Sequence, residues 1–337
     1  MENSFMRISR PKRGDWLKSA VAGFLCAAAV LFLVFCPFFL SSYWLRILTH
    51  TFMFAVLAQA INIIAGYAGY PAFGNIVFFG LGAYSTGVLM VKFNTTFLPS
   101  MIFGVGLCLF FTLIFGLPVL RLKGHYFAIA TLGLNEATKA LVDNLTGLTG
   151  GGMGLSLPLV PGDVETNSRY FYFMFLGTMV LCLFVTHFLM RSRFGYAIRS
   201  IRSNERSAEG MGINTTQYKV MAWMISAGFT SIAGSLYAYW MSHIEPAIVF
   251  DMAIAIKSFV MFLLGGTGTI LGPILGAFIL ETVSTFAWSH LLNYHLATLG
   301  AIIILIVIFM PRGVVFFLQE RFFVSNLIKK IREERTF

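Results

Sequence analysis

Charge is scarce in this chain. Only 11% of its 337 residues are Asp, Glu, Lys or Arg, while 58% are hydrophobic. A soluble domain carries about a quarter charged residues, and a water-soluble fold of this length would have too little polar surface to cover its outside. That shortage excludes an ordinary globular enzyme, a disordered segment and a free nucleic-acid-binding domain. Cysteine is sparse as well. Cys26, Cys36, Cys108 and Cys182 lie in or near apolar runs and no two have CxxC spacing, so neither a disulfide framework nor a metal site is indicated. Catalytic signatures are missing too: there is no H-E-x-x-H, no G-x-S-x-G and no clustered His and Asp set. The run at Gly265–Gly268 lacks the Gly-Lys-Ser/Thr ending of a phosphate-binding loop, and no predicted strand precedes it.

What the chain has in quantity is apolar surface, with a mean hydropathy of +0.80. The excess must face lipid, which makes this an all-α, polytopic membrane helix bundle. A helix needs about 20 apolar residues to cross the hydrocarbon core. Candidate spans are 17–40, 45–66, 72–92, 99–120, 125–142, 170–190, 218–241, 253–267, 270–287 and 295–311. The third, fifth, eighth and ninth are interrupted or short, so the expectation is eight to ten crossings. The basic amino end resembles a signal peptide, but the run 20–40 is too long for one and ends in no small-x-small site, so it reads as a retained span. Of the 24 Lys and Arg residues, 19 fall in four regions: the amino end through Lys18, Arg121 with Lys123, 191–219, and the tail from Arg312. An even number of spans with both termini cytoplasmic places all four regions inside, as the positive-inside rule requires. The chain thus divides into a cytoplasmic segment 1–16, a transmembrane domain 17–311 and a basic cytoplasmic tail 312–337.

Two stretches interrupt the helical pattern with glycine. One runs Gly66-Tyr-Ala-Gly-Tyr-Pro-Ala-Phe-Gly74-Asn75 and on to Tyr84; the other runs Gly265-Gly-Thr-Gly-Thr-Ile-Leu-Gly272-Pro-Ile-Leu-Gly276. Broken helices at similar places in two halves of a chain point to a transport site, and unwound backbone in a membrane must line a cavity or be buried in protein. Close packing through small residues explains the same glycines equally well. Glu136 and Lys139 lie three apart on one face of the 125–142 span. They form either a functional intramembrane pair or a solvated pair at the rim.

The segment 191–219 is the longest basic stretch between spans. Ala197, Ile198 and Ile201 make one turn amphipathic, Ser203 or Asn204 can cap a second short helix that puts Glu205 and Glu209 on one face, and Gly210 with Gly212 stops it. A solvated orienting loop is the plain explanation; a docking knob for a partner is the other.

At this segment the sequence resembles the cytoplasmic coupling loop of branched-chain amino acid transporter permeases of the LivM type. Ser192, Phe194, Gly195, Ala197, Arg202, Asn204, Glu205, Ala208, Gly212, Ile213, Asn214, Lys219, Ser226 and Ala227 match its pattern. Further similar stretches follow in order at 66–69, 78–84, 121–132, 148–154 and 265–277, so the likeness spans about 45–310. The resemblance implies one permease subunit of an ATP-binding-cassette importer, multi-pass in a bacterial inner membrane. It implies a second permease of the LivH type, two cytosolic ATPase subunits that carry ATP and Mg, and a periplasmic solute-binding protein; this chain would bind no cofactor, metal or nucleic acid and would not itself be an enzyme. It assigns ATPase coupling to Phe194, Gly195, Arg199, Arg202, Asn204, Glu205, Ala208, Gly210 and Gly212. The expected substrate path runs along Tyr70, Asn75, Tyr84, Thr131, Asn135 and Glu136. One departure concerns that path: where the family reads G-Q-x-S-L-G-H, this chain reads Gly69-Tyr-Pro-Ala-Phe-Gly-Asn75. The solute is expected to be a branched-chain or other amino acid, with urea or an amide as the alternative within the same family. An ion-coupled secondary transporter and a membrane-embedded enzyme are the other classes; Glu136, Lys139, Lys257 and Glu281 are thin material for the former.

Overall fold

The computed structural model describes residues 31–290 and the isolated positions 300, 304 and 313, with side chains described through Phe286 in the last helix. The segment 1–16, most of the first expected span, the span 295–311 apart from two positions, and nearly all of the tail 312–337 lie outside the described residues.

Among the described residues, ten α-helices of six residues or more carry the fold: α1 (Ser42–Ile61), α2 (Ile76–Lys92), α3 (Phe97–Val119), α4 (His125–Asn144), α5 (Val164–Arg191), α6 (Arg193–Ser203), α7 (Glu205–Gly210), α8 (Thr215–Met241), α9 (Met252–Gly265) and α10 (Gly272–His290). Helix is the form a chain takes where no water can bond the backbone. Hydroxyls inside these apolar helices are silenced locally: Thr49, Thr112 and Thr230 each donate to the carbonyl four residues earlier. Among the described residues, six helical stretches are long and apolar enough to cross a membrane: Ser42–Tyr67, Phe73–Lys92, Phe97–Val119, Val164–Arg191, Thr215–Met241 and Pro246–Gly265. The protein is a multi-pass, all-α membrane bundle. Among the described residues its only β-pairing is a two-residue antiparallel ladder, Leu155–Ser156 against His243–Ile244.

The contacts at the helix ends fix the winding. The end of α1, the start of α2, the end of α3, the start of α8 and the α9–α10 turn all meet α6 or α7 or their immediate partners. The short ladder sits at the opposite end, where the Tyr84 hydroxyl reaches the Ile244 carbonyl at 3.5 Å. Among the described residues, eight helices therefore run between the two ends (all but α6 and α7), and Gly313 packs against Gly266 at the α6–α7 end. The weakly apolar 125–142 segment does traverse, as α4. The 170–190 segment begins earlier, at Val164, because a polar first turn closed by an Arg169–Glu165 ion pair of 2.6 Å prolongs the helix beyond its apolar part.

α8 is the central helix, packed on α2 and α3 with α1 at its side; α1 in turn carries α5 and the α9–α10 hairpin. The backbones of α2 and α8 touch, since a side chain on Gly234 would collide with the Phe79 carbonyl and one on Gly82 with the Ser231 carbonyl. Small residues let helices approach this closely in lipid, where dispersion and interhelical hydrogen bonds replace the hydrophobic effect. Thr86 and Ser235 supply such a bond at 2.9 Å.

Candidate functional site

The α6–α7 segment is an amphipathic elbow set across one end of the membrane helices. α6 buries Ala197, Ile198 and Ile201, and Phe194 packs its ring 5.8 Å from that of Tyr218. Gly195 is needed for the turn out of α5, since a Cβ there would lie 2.5 Å from the Met190 Cα. Arg199 donates to the Met190 carbonyl and holds α6 to the end of α5. Asn204 caps α7 by accepting from the Ser207 N–H at 3.1 Å, Ala208 is fully buried, and the chain turns at Gly212 with φ +82° after α7 ends at Gly210. Asn214 then caps α8 through the Gln217 N–H at 3.2 Å.

Two side chains of this elbow reach the ends of the bundle helices. Arg202 donates to the Gly66 carbonyl, which the π turn Asn62–Tyr67 leaves free of an ordinary helical partner. A Cβ on Gly268 would lie 2.7 Å from the same guanidinium nitrogen, and one on Gly69 3.2 Å from the Arg202 Cγ. Arg202 thus sits against both glycine-interrupted stretches at once. Asn62 ties the two together, donating to the Thr269 carbonyl at 2.8 Å and accepting from the Gly268 N–H at 2.9 Å.

Glu205 is the second. Lys219 of α8 meets its Oε1 at 2.6 Å, Lys123 of the α3–α4 turn meets its Oε2 at 3.1 Å, and the Tyr70 hydroxyl donates to Oε2 at 3.0 Å. Lys219 also donates to the Tyr70 hydroxyl at 3.0 Å. Burial alone would raise the Glu205 carboxyl, but the hydrogen bonds from Lys219, Lys123 and Tyr70 outweigh it and hold the group down at about 2. Burial and the bond to Glu205 push the Tyr70 hydroxyl up. One carboxylate therefore gathers α7, α8, the α3–α4 turn and the entry to α2. Glu209 adds a lighter tie by accepting from the Thr215 hydroxyl at 2.8 Å. The outer side of the elbow exposes Tyr196, Arg206 and Met211.

The residues expected along a substrate path fall in three places. Tyr70 belongs to the Glu205 knot. Asn75 is buried and held by three bonds: it donates to the Thr230 hydroxyl at 2.9 Å and accepts from Trp223 Nε1 and the Ser226 hydroxyl, each at 3.3 Å. The cavity beside Asn75 is about 10 Å³, room for a single water at most. Thr131 is buried and accepts from the Gly74 N–H at 3.2 Å, with the α2 and α4 backbones pressed together there. Tyr84 lies near the ladder, its ring stacked on Phe250 at 6.2 Å. Asn135 is buried and donates to the Phe250 carbonyl at 3.1 Å, whereas Glu136 lies on the outer surface of the bundle.

Several partners had no place in the sequence-based site. Lys219 is the clearest, and its signal was available: a lone cation at the mouth of an apolar span demands an anion. Lys123, Asn62, Trp223 and Thr230 become visible only through contacts between residues far apart in sequence, as does the bond by which Ser226, a residue of the matched pattern, meets Asn75. Among the described residues, no group of three or more His, Cys, Asp or Glu is placed to hold a metal ion.

Comparison with known proteins agrees with the resemblance. The family model for the branched-chain amino acid transport system permease component matches residues 43–307. The chain is 30% identical to the high-affinity branched-chain amino acid transport system permease protein LivM of Salmonella typhimurium, over 86% of this chain and 74% of that one. It is 24% identical to a probable LivM of Methanocaldococcus jannaschii, over 78% and 90% of the two chains. It is also 29% identical to the permease protein LivH of Escherichia coli, over 58% and 66%. No solved structure matches the chain. A family match over most of the sequence, laid on a multi-pass bundle, decides the identity: this chain belongs to the family of branched-chain amino acid transport system permease components and is a permease subunit of an ATP-binding-cassette importer.

Proposed function

We propose that this chain is one of two permeases in a bacterial inner-membrane importer of branched-chain amino acids, and that its α6–α7 elbow receives the stroke of a cytosolic ATPase. The second permease, of the LivH type, completes the membrane path. Two ATPase subunits bind and hydrolyse ATP with Mg, and a periplasmic binding protein delivers the amino acid. The relatives named LivM and LivH support the pairing.

The observation that carries the coupling role is the place of Arg202, against Gly66 and Gly268 together. An ATPase pocket closing on Phe194, Tyr196 and Met211 moves the elbow as one piece, because Gly195, Arg199 and Ala208 pack it to its neighbours. Arg202 passes that motion to the breaks before α2 and between α9 and α10; Glu205 passes it to α8 through Lys219. The helices then rock between a state open outward and a state open inward, biased by whether nucleotide holds the ATPases closed. Asn204, Gly210 and Gly212 shape the elbow and do not carry the load.

The path itself is proposed on the outer face of α4, at the seam with the second permease. Asn75, Thr131, Asn135 and Tyr84 are engaged inside the chain and serve as its wall; Glu136 faces outward. The test is uptake of leucine by vesicles containing the four kinds of subunit with ATP. Arg202→Ala is expected to leave the subunits co-purifying and to lower uptake at least tenfold while ATP is still hydrolysed. Uptake driven by an ion gradient without the ATPases overturns the proposal.

A further inference from the structure

α4 crosses the bundle, yet its outer face is unlike that of a lipid-facing helix. α3, its neighbour in sequence, exposes Leu98, Ile102, Phe103, Phe110, Leu113 and Leu117. α4 exposes Gly133, Glu136, Ala137 and Ala140 between aromatic and aliphatic ends. Glu136 is about 16 Å along a helix about 30 Å long, at 1.5 Å per residue, which is near the middle of a bilayer core. Among the described residues neither it nor Lys139 has an ion-pair partner. A lone carboxylate at that depth facing hydrocarbon is strongly disfavoured, so the face lines water or protein.

The surroundings of Glu136 suit a cation donor. Its Oε1 accepts from the Asn135 Nδ2 at 3.3 Å, and the same amide is anchored to the Phe250 carbonyl at 3.1 Å. The Asn135 Oδ1 is buried and has no hydrogen-bond partner. Lys139, half-buried, follows one turn nearer the end of the bundle opposite α6 and α7. A carboxylate and an ammonium about 5 Å apart along a helix present opposite charges to the two ends of one small zwitterion.

We infer that Glu136 and Lys139 form a zwitterion-binding step in the path, with Glu136 taking the α-ammonium of an amino acid and Lys139 its α-carboxylate. The inference rests on the permease reading and deepens it, because such a step favours an amino acid over a neutral solute such as urea or an amide. Charge balance keeps the loaded path neutral, so the solute advances without an ion.

The experiment uses the complete importer in lipid vesicles with ATP and radiolabelled leucine. Glu136→Gln and Lys139→Gln are each expected to lower leucine uptake tenfold or more, with all subunits still co-purifying, and Glu136→Asp to recover part of it. Uptake within twofold of the unaltered importer for either Gln variant overturns the site while leaving the permease reading intact. Loss of co-purification in either Gln variant also overturns it, because the pair would then be an ion pair between subunits. If the unaltered importer moves no leucine under ATP, the permease reading falls and this site falls with it.

Discussion

Two of the polar knots among the described residues, at Asn75 and at Glu205, are built on opposite principles. The Asn75 knot is neutral, buried and lies between membrane helices; its amide bonds to Thr230, Trp223 and Ser226 of α8. The Glu205 knot is charged, partly open to water and joins the elbow to three other elements. The first fixes α2 to α8 as a single body. The second joins the elbow to elements that the proposed mechanism moves relative to one another, and its strength comes from charge. Polar bonds in a membrane interior hold helices in register; an ion cluster at the rim can transmit a push and still be remade with shifted geometry.

The largest way to break this contrast is Glu205→Lys. It sets three cations together and leaves the buried Lys219 without its anion, a loss of about 3–5 kcal/mol. The expected outcome is an elbow detached from α8, seen as loss of ATPase co-purification with membrane insertion intact. Next comes pH. The Glu205 carboxyl lies at about 2 in the fold against an ordinary 4.5, so its contribution is complete above pH 4.5 and disappears as the pH falls toward 2. Melting of the detergent-solubilised chain should lose that increment over this window, and Glu205→Gln should remove it. The smallest effect is Asn75→Ala, which leaves the buried Trp223 N–H and two hydroxyls short of a partner for about 1–2 kcal/mol. Its melting should shift equally at pH 7 and pH 4. A pH-dependent shift in Asn75→Ala would erase the distinction between the knots.

The same two knots show how far the residues could be read in advance. The elbow was legible: Asn204 as a cap, the Ala197–Ile198–Ile201 face and the stop at Gly210 and Gly212 are local features, set by neighbours within one or two turns. Glu205 was assigned to coupling from the resemblance, but the cations that hold it were not named, because Lys123 and Lys219 approach it only after α3 and α8 have been wound to the same end. Tyr70 and Asn75 were grouped as path residues because both follow the first glycine break. Five residues of non-helical and 3-10 chain turn one toward the elbow and the other into α8.

By itself the sequence determined the membrane and the helices, and the positive-inside distribution of Lys and Arg sets the side expected for the elbow, since hydropathy over 20 residues and basic charge act through solvent and need no partner. The tertiary structure decided which glycines touch, which carboxylate gathers three donors and which face of α4 is left uncovered. Those outcomes depend on how helices distant in sequence cross, and in lipid the crossing is set by close packing and hydrogen-bond pairing rather than by the apolar pattern that all of the helices share.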